Sequence, residues 1–221
     1  MVALRRVVAD PRPPLAALAE LVDDPADLDV LLELRAPADA VARDALGALR
    51  MIPVADRYGG PHAAVVMGPF LQPGPSRFSP GTFGVLYAAD STDVAVRESA
   101  YHAARYLAAS NAPAGRIPRV ALTLQVDDTN VTDVRAGSGG DVAIYDPDPA
   151  NYGGAQRLGL ELRKRGVDGV WYDSVRAPGG TCYGIFRPAA VARVDDVSQE
   201  VALVWDGVRI ESYELVRSIP L

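Results

Sequence analysis

Apolar positions change their spacing near residue 50. Before it, Leu15, Leu18, Leu21 and Val22 follow the Pro13-Pro14 pair. Leu28, Val30, Leu31, Leu32 and Leu34 form a second stripe, and Val41, Leu46 and Leu49 a third. These i, i+3, i+4 spacings with proline and aspartate stops predict short helices through residues 1–50, read as an N-terminal helical extension. After residue 50, short apolar runs alternate with glycine, proline and aspartate. They predict strands at Met51–Ala55, Ala63–Met67, Phe83–Ala88, Arg119–Gln125, Gly169–Tyr172, Thr181–Phe186 and Val201–Trp205. Asp206-Gly207 reads as a hairpin turn into Val208–Tyr213. Helices are expected over Thr92–Ala109, with Ser91 as N-cap, and over about Ala150–Arg165, stopping at Gly166. So few helices among so many strands argue for α+β rather than a doubly wound parallel sheet. Residues 51–221 form the expected catalytic domain.

Composition narrows the function. Hydrophobic residues make up 49% and charged residues 23%, as in ordinary globular chains. The formal net charge of −6 gives no global field for nucleic acid or an anionic membrane, so neither is an expected direct partner. One cysteine, Cys182, excludes an intramolecular disulfide and a cysteine-rich zinc site and suits a reducing cytoplasm. The N-terminal apolar run is too short for a signal peptide, and no run is long enough to span a bilayer.

Several chemistries find no support. There is no GxxxxGK[ST] loop and no GxGxxG between a strand and a helix. Gly137-Ser-Gly-Gly140 reads as a flexible loop. His62 and His102 sit in no metal-ligand pattern, so no metal is expected. Ser174 lies outside a GxSxG elbow.

Polar residues concentrate in four blocks. They are Asp56-Arg-Tyr-Gly-Gly60, Ser76-Arg-Phe-Ser79, Gly84-Val-Leu-Tyr-Ala-Ala89 with Arg97-Glu-Ser99, and Gly169-Val-Trp-Tyr-Asp-Ser-Val-Arg176 leading to Gly179-Gly-Thr-Cys-Tyr-Gly184. Singly, each has a bland explanation: surface arginines, half-buried tyrosines, a strand-end serine. Glu98 is the exception, because it shares a helix face with Val94, Ala95 and His102, where an unpaired carboxylate is costly.

In order and spacing these blocks resemble the RES-domain family, bacterial toxins named for an arginine, a glutamate and a serine. The resemblance runs from about Pro53 to Val191. It is carried by Arg57-Tyr58, by Arg77 through Glu98, by Gln156 with Gly166 through Arg176, and by Gly179 through Pro188. Short members lack the long N-terminal extension, and the usual Gly-Gly-Arg-Trp-Asn block reads Pro75-Ser-Arg-Phe-Ser79 here. The resemblance implies an ADP-ribosyltransferase-like split, twisted β-core with surrounding helices. It also implies a toxin that consumes NAD+ as substrate, passing ADP-ribose to a host protein, phosphate or water. Its implied partner is a cognate antitoxin with an Xre-like DNA-binding domain. By position, Arg57, Tyr58, Arg77, Tyr87, Glu98 and Ser174 would line the NAD+ site, with Arg57, Glu98 and Ser174 catalytic. Guanidinium forks suit a pyrophosphate, tyrosine faces suit a cationic ring, and a carboxylate suits a ribosyl cation. The competing expectation is a nucleotide-binding or interaction module without turnover.

Overall fold

The computed structural model describes residues 1–9, 30, 33, 40–139 and 142–216. Its centre is an eight-stranded mixed sheet. The strands are β1 (Val2–Val8), β4 (Leu86–Ala89), β5 (Gly115–Val126), β6 (Val131–Asp133), β7 (Gly169–Asp173), β8 (Thr181–Ile185), β9 (Val191–Trp205) and β10 (Ile210–Val216). Their order is β10-β9-β5-β1-β4-β8-β7-β6. Among the described strands, only β6 and β7 pair in parallel. A short ribbon, β2 (Pro75–Ser76) with β3 (Ser79–Pro80), stands apart from it. Four α-helices occur among the described residues: α1 (Ala40–Arg50), α2 (Ala63–Leu71), α3 (Thr92–Ala109) and α4 (Gly153–Lys164). The fold is α+β, as the spacing predicts.

β1 corrects the reading of residues 1–50 as helical. Val2–Val8 is rich in β-branched valine and pairs along its length with β5, from Val2↔Val126 to Val8↔Val120. On its other side it meets β4 through one pair, Arg5↔Ala89. The sheet is therefore split: β10-β9-β5-β1 on one side, β4-β8-β7-β6 on the other. The third predicted stripe is α1. The first two lie outside the described residues apart from Val30, which is helical, as is the neighbouring Glu33.

Two further strand expectations fail. Residues 51–55 form a turn running into a 3-10 segment at Val54–Asp56, with Pro53 in place of a ladder donor. Ala63–Met67 is the first half of α2, which buries Ala63, Val65, Val66, Met67, Phe70 and Leu71. An apolar run buried on most sides carries no period that separates helix from strand. By contrast, α3 keeps its predicted bounds, and the Ser91 hydroxyl accepts the Val94 N–H at 3.4 Å. The Asp206-Gly207 turn also stands, with Gly207 at φ +102° and the next strand starting at Ile210.

Three apolar clusters pack the sheet, the smallest joining Val96 and Ala103 of α3 to Val201 and Leu203 of β9; the two larger ones place the site. One joins α1 and α2 to Leu4, Leu86, Leu122 and Leu124; the other joins α3 and α4 to Phe78, Val170, Tyr172 and Phe186. Leu86 and Tyr87, adjacent on β4, go to different clusters, so the clusters lie on opposite faces. Leu4 is fully buried in the first. Leu4→Ala should therefore cost about 3 kcal/mol, the usual result of opening a core cavity. Urea unfolding of the two proteins measures this, and an unchanged midpoint would show that β1 is dispensable.

Candidate functional site

A cavity of about 630 Å³ opens where the sheet splits. Arg5–Val8 of β1 with the following Ala9, and Tyr87–Ala89 of β4, form its two margins, and Glu98, Ser99 and His102 of α3 line it alongside. Tyr152 and Gln156 enter from α4 and its preceding turn, and Tyr172 and Cys182 from β7 and β8.

Glu98 and Ser174 are bonded to each other. The Ser174 hydroxyl donates to Glu98 Oε1 at 2.6 Å and accepts the N–H groups of Arg176 at 3.2 Å and Ala177 at 3.0 Å. Its proton and lone pairs are thus committed to these three partners, and its hydroxyl fixes the position of the Glu98 carboxylate. Local sequence makes this contact. The chain turns after β7, where Ser174 N–H donates to Gly180 O, and Gly180 lies against α3. A Cβ at Gly180 would meet Val94 Cγ2 at 2.3 Å. The Cys182 thiol lies 3.9 Å from Glu98 Oε1. Burial, and then the Glu98 carboxylate, push its pKa to about 12, so it stays a neutral thiol.

The Tyr87 hydroxyl is held by two partners. Its hydroxyl donates to Ser76 Oγ at 2.9 Å and accepts the Phe78 N–H at 3.1 Å, while burial raises its pKa to about 12. Arg77 donates to the carbonyls of Ile144 (2.7 Å) and Asp146 (3.1 Å) and to the Tyr152 hydroxyl (3.2 Å). Its guanidinium lies 4.4 Å over the Tyr152 ring. Much of its hydrogen-bonding capacity therefore ties the 144–152 segment to the cavity. Gly159 permits this closeness, since a Cβ there would sit 2.0 Å from Phe78 O.

The six residues expected to share one site divide. Arg77, Tyr87, Glu98 and Ser174 come together. Arg57 and Tyr58 do not line the cavity. Arg57 donates to the carbonyls of Ile52 at 3.0 Å and Leu49 at 3.2 Å, where the end of α1 leaves acceptors without helical partners. The Tyr58 ring is buried in the α1–α2 cluster; its hydroxyl donates to Pro61 O and accepts the Val194 N–H.

In their place stand arginines that the sequence reading assigned no role. Arg6 donates to Tyr87 O at 2.6 Å across the split, and its buried Nε has no hydrogen-bond partner among the described residues. Burial lowers its pKa to about 10, which leaves it charged near neutrality. Arg5 Nη1 is likewise buried without a partner. Arg119 of β5 also lines the cavity, its pKa lowered by burial. The available signal was two arginines inside a valine-rich run, a costly placement unless an anion or acceptor meets them.

His102 lies one helical turn beyond Glu98. Burial lowers its pKa below 6.5; Glu98 opposes this, whereas Arg176, Arg105 and Arg77 reinforce it. Below that value the unfolded chain binds a proton that the folded chain resists, so stability falls as pH falls. Wild type should lose more stability than His102→Gln between about pH 7.5 and pH 5. Urea midpoints at the two pH values read the difference, and equal losses would contradict the assignment.

Among the described residues, no group of three His, Cys, Asp or Glu could hold a metal ion, and no helix is long and apolar enough to cross a membrane. A family model described as RES domain matches residues 48–206. No curated protein sequence matches the chain. Among solved structures, the chain is similar to one from the M. tuberculosis MbcT–MbcA toxin–antitoxin complex. The identity is 16% and the TM-score 0.44, covering 92% of this chain and 84% of that one. A superposition that loose equates no individual residues.

Proposed function

The chain belongs to the RES-domain family, and on that basis we propose that it is the toxin of a toxin–antitoxin system, an enzyme that cleaves the nicotinamide–ribose bond of NAD+. The observation that carries the proposal is Glu98, held by Ser174 beside a cavity whose other charged lining residues are arginines. A fixed carboxylate stabilises a ribosyl cation, and guanidinium groups match a pyrophosphate.

In this reading the pyrophosphate meets Arg6 and Arg77, with Arg6 taking the role expected of Arg57. The unpartnered Arg6 Nε supplies a donor whose desolvation is already incurred. The fixed Tyr87 ring faces the nicotinamide end. Ser174 occupies Glu98 Oε1, leaving Oε2 to meet the ribose as the C1′–N bond breaks. Nicotinamide departs with the bonding electron pair as a neutral molecule, so no general acid is required. ADP-ribose then passes to water, phosphate or a host protein. The family resemblance supplies the proposed partner, an antitoxin with an Xre-like DNA-binding domain, and a cytoplasmic site of action.

Nicotinamide release from NAD+ by the purified protein is the test. Absence of release, with and without phosphate and cell extract, would overturn the proposal. Glu98→Gln should lower the rate by about 100-fold or more at unchanged thermal midpoint. Arg6→Gln should raise KM more than it lowers kcat, as expected for a contact made equally in ground and transition states.

A further inference from the structure

The cavity holds more positive charge than a dinucleotide pyrophosphate neutralises. Its lining includes Arg5, Arg6, Arg77, Arg105, Arg119 and Arg176, against the single carboxylate of Glu98. Three of its basic side chains gather around one ring. The Arg176 guanidinium lies 3.6 Å from the centroid of Tyr101. Arg105 lies 5.8 Å from the same centroid and donates to the Tyr101 hydroxyl at 3.4 Å. His102 packs edge-on against Tyr101, ring centroids 5.3 Å apart. His102, Arg105 and Arg176 all line the cavity.

Neither Arg105 nor Arg176 forms an ion pair among the described residues. Arg176 spends one nitrogen on Pro147 O at 2.5 Å. The acids flanking Pro147 turn to their own loop: Asp146 accepts from Asp148 N–H and from Asn151 Nδ2, and Asp148 accepts from Ala150 N–H. The close Tyr101 ring restricts rotation of the Arg176 guanidinium, which lowers the entropy cost of presenting its remaining N–H groups.

We propose that His102, Arg105 and Arg176, ordered around Tyr101, form a second anion subsite of the cavity that takes a phosphate dianion in addition to the pyrophosphate. The inference rests on the NAD+ reading for the first anion, but the subsite's own chemistry does not. Two guanidinium forks and an imidazole that gains a proton beside an anion match a phosphate better than a carboxylate, which offers fewer acceptor oxygens. Two sources present that dianion. One is free phosphate as acceptor, in which a phosphate oxygen bonds to the ribosyl C1′ as the C–N bond breaks and nicotinamide leaves with the electron pair. The other is a phosphomonoester on the adenosine ribose of the dinucleotide, as in NADP+.

The test compares wild type with R105Q/R176Q by calorimetry, using inorganic phosphate, NAD+ and NADP+ as probes. The binding measurement needs no turnover, so a failure of NAD+ cleavage is distinguishable from a failure of the subsite. Loss of two charge-assisted contacts should weaken the favoured phosphate probe by at least about tenfold, with NAD+ changed much less. If free phosphate is the ligand, phosphate binds wild type and accelerates nicotinamide release, and both effects fade in the variant. If the monoester is the ligand, NADP+ binds wild type about tenfold or more tighter than NAD+, and that preference disappears in the variant. H102Q, which keeps both arginines, should show a smaller loss of the same probe and a flattened pH dependence of its binding. Equal binding of phosphate and NADP+ by wild type and the double variant, at matched thermal midpoints, would overturn the proposal.

Discussion

β1 and β4 share one backbone pair, Arg5↔Ala89, and then separate. A strand that left its neighbour in this way would normally expose backbone acceptors along the gap. Here the side chain of Arg6 reaches across and donates to Tyr87 O, so the split edge is partly satisfied by a guanidinium instead of a ladder. The cavity, its arginine lining and the position of Tyr87 all follow from that separation. Helix α3 then lies beside the opening and contributes Glu98 and His102 from successive turns.

The charge distribution follows the same logic. The chain is acidic overall, yet arginines outnumber carboxylates around this cavity. Burial lowers the pKa of both Arg6 and Arg119, and that of Arg6, at about 10, leaves it charged near neutrality. The acidic surplus lies elsewhere, much of it in local turns and ion pairs such as Asp133 with Arg135 and Asp56 with Arg187. Net charge therefore describes the molecule's long-range field and not the chemistry of its cleft.

The glycines set how closely the site can close. Gly180 lets the turn after β7 lie on α3, which brings Ser174 to Glu98. Gly159 lets α4 approach Phe78, so that Arg77 meets the 144–152 segment. A methyl group would collide with Val94 Cγ2 at the first position and with Phe78 O at the second. The blocks around Arg77, Glu98 and Ser174 thus include residues whose work is proximity rather than chemistry.

Sequence alone determined the α+β class, the bounds of α3 with its Ser91 cap and the Asp206-Gly207 turn, and it singled out Arg77, Tyr87, Glu98 and Ser174, which the fold gathers at one cavity. These depend on local periodicity, on turn chemistry, or on blocks whose spacing in the chain matches spacing in the site. Tertiary structure decided the rest. Val2–Val8 becomes a central strand because β5 supplies its partners, and no local pattern in those residues shows the pairing. Ala63–Met67 becomes helix because it is buried on most sides, where apolar periodicity carries no information. Arg57 and Arg6 look alike as residue types in the chain. One caps the end of α1 and the other lines the cavity, because a side chain's role follows from the acceptors and openings that the fold brings within its reach.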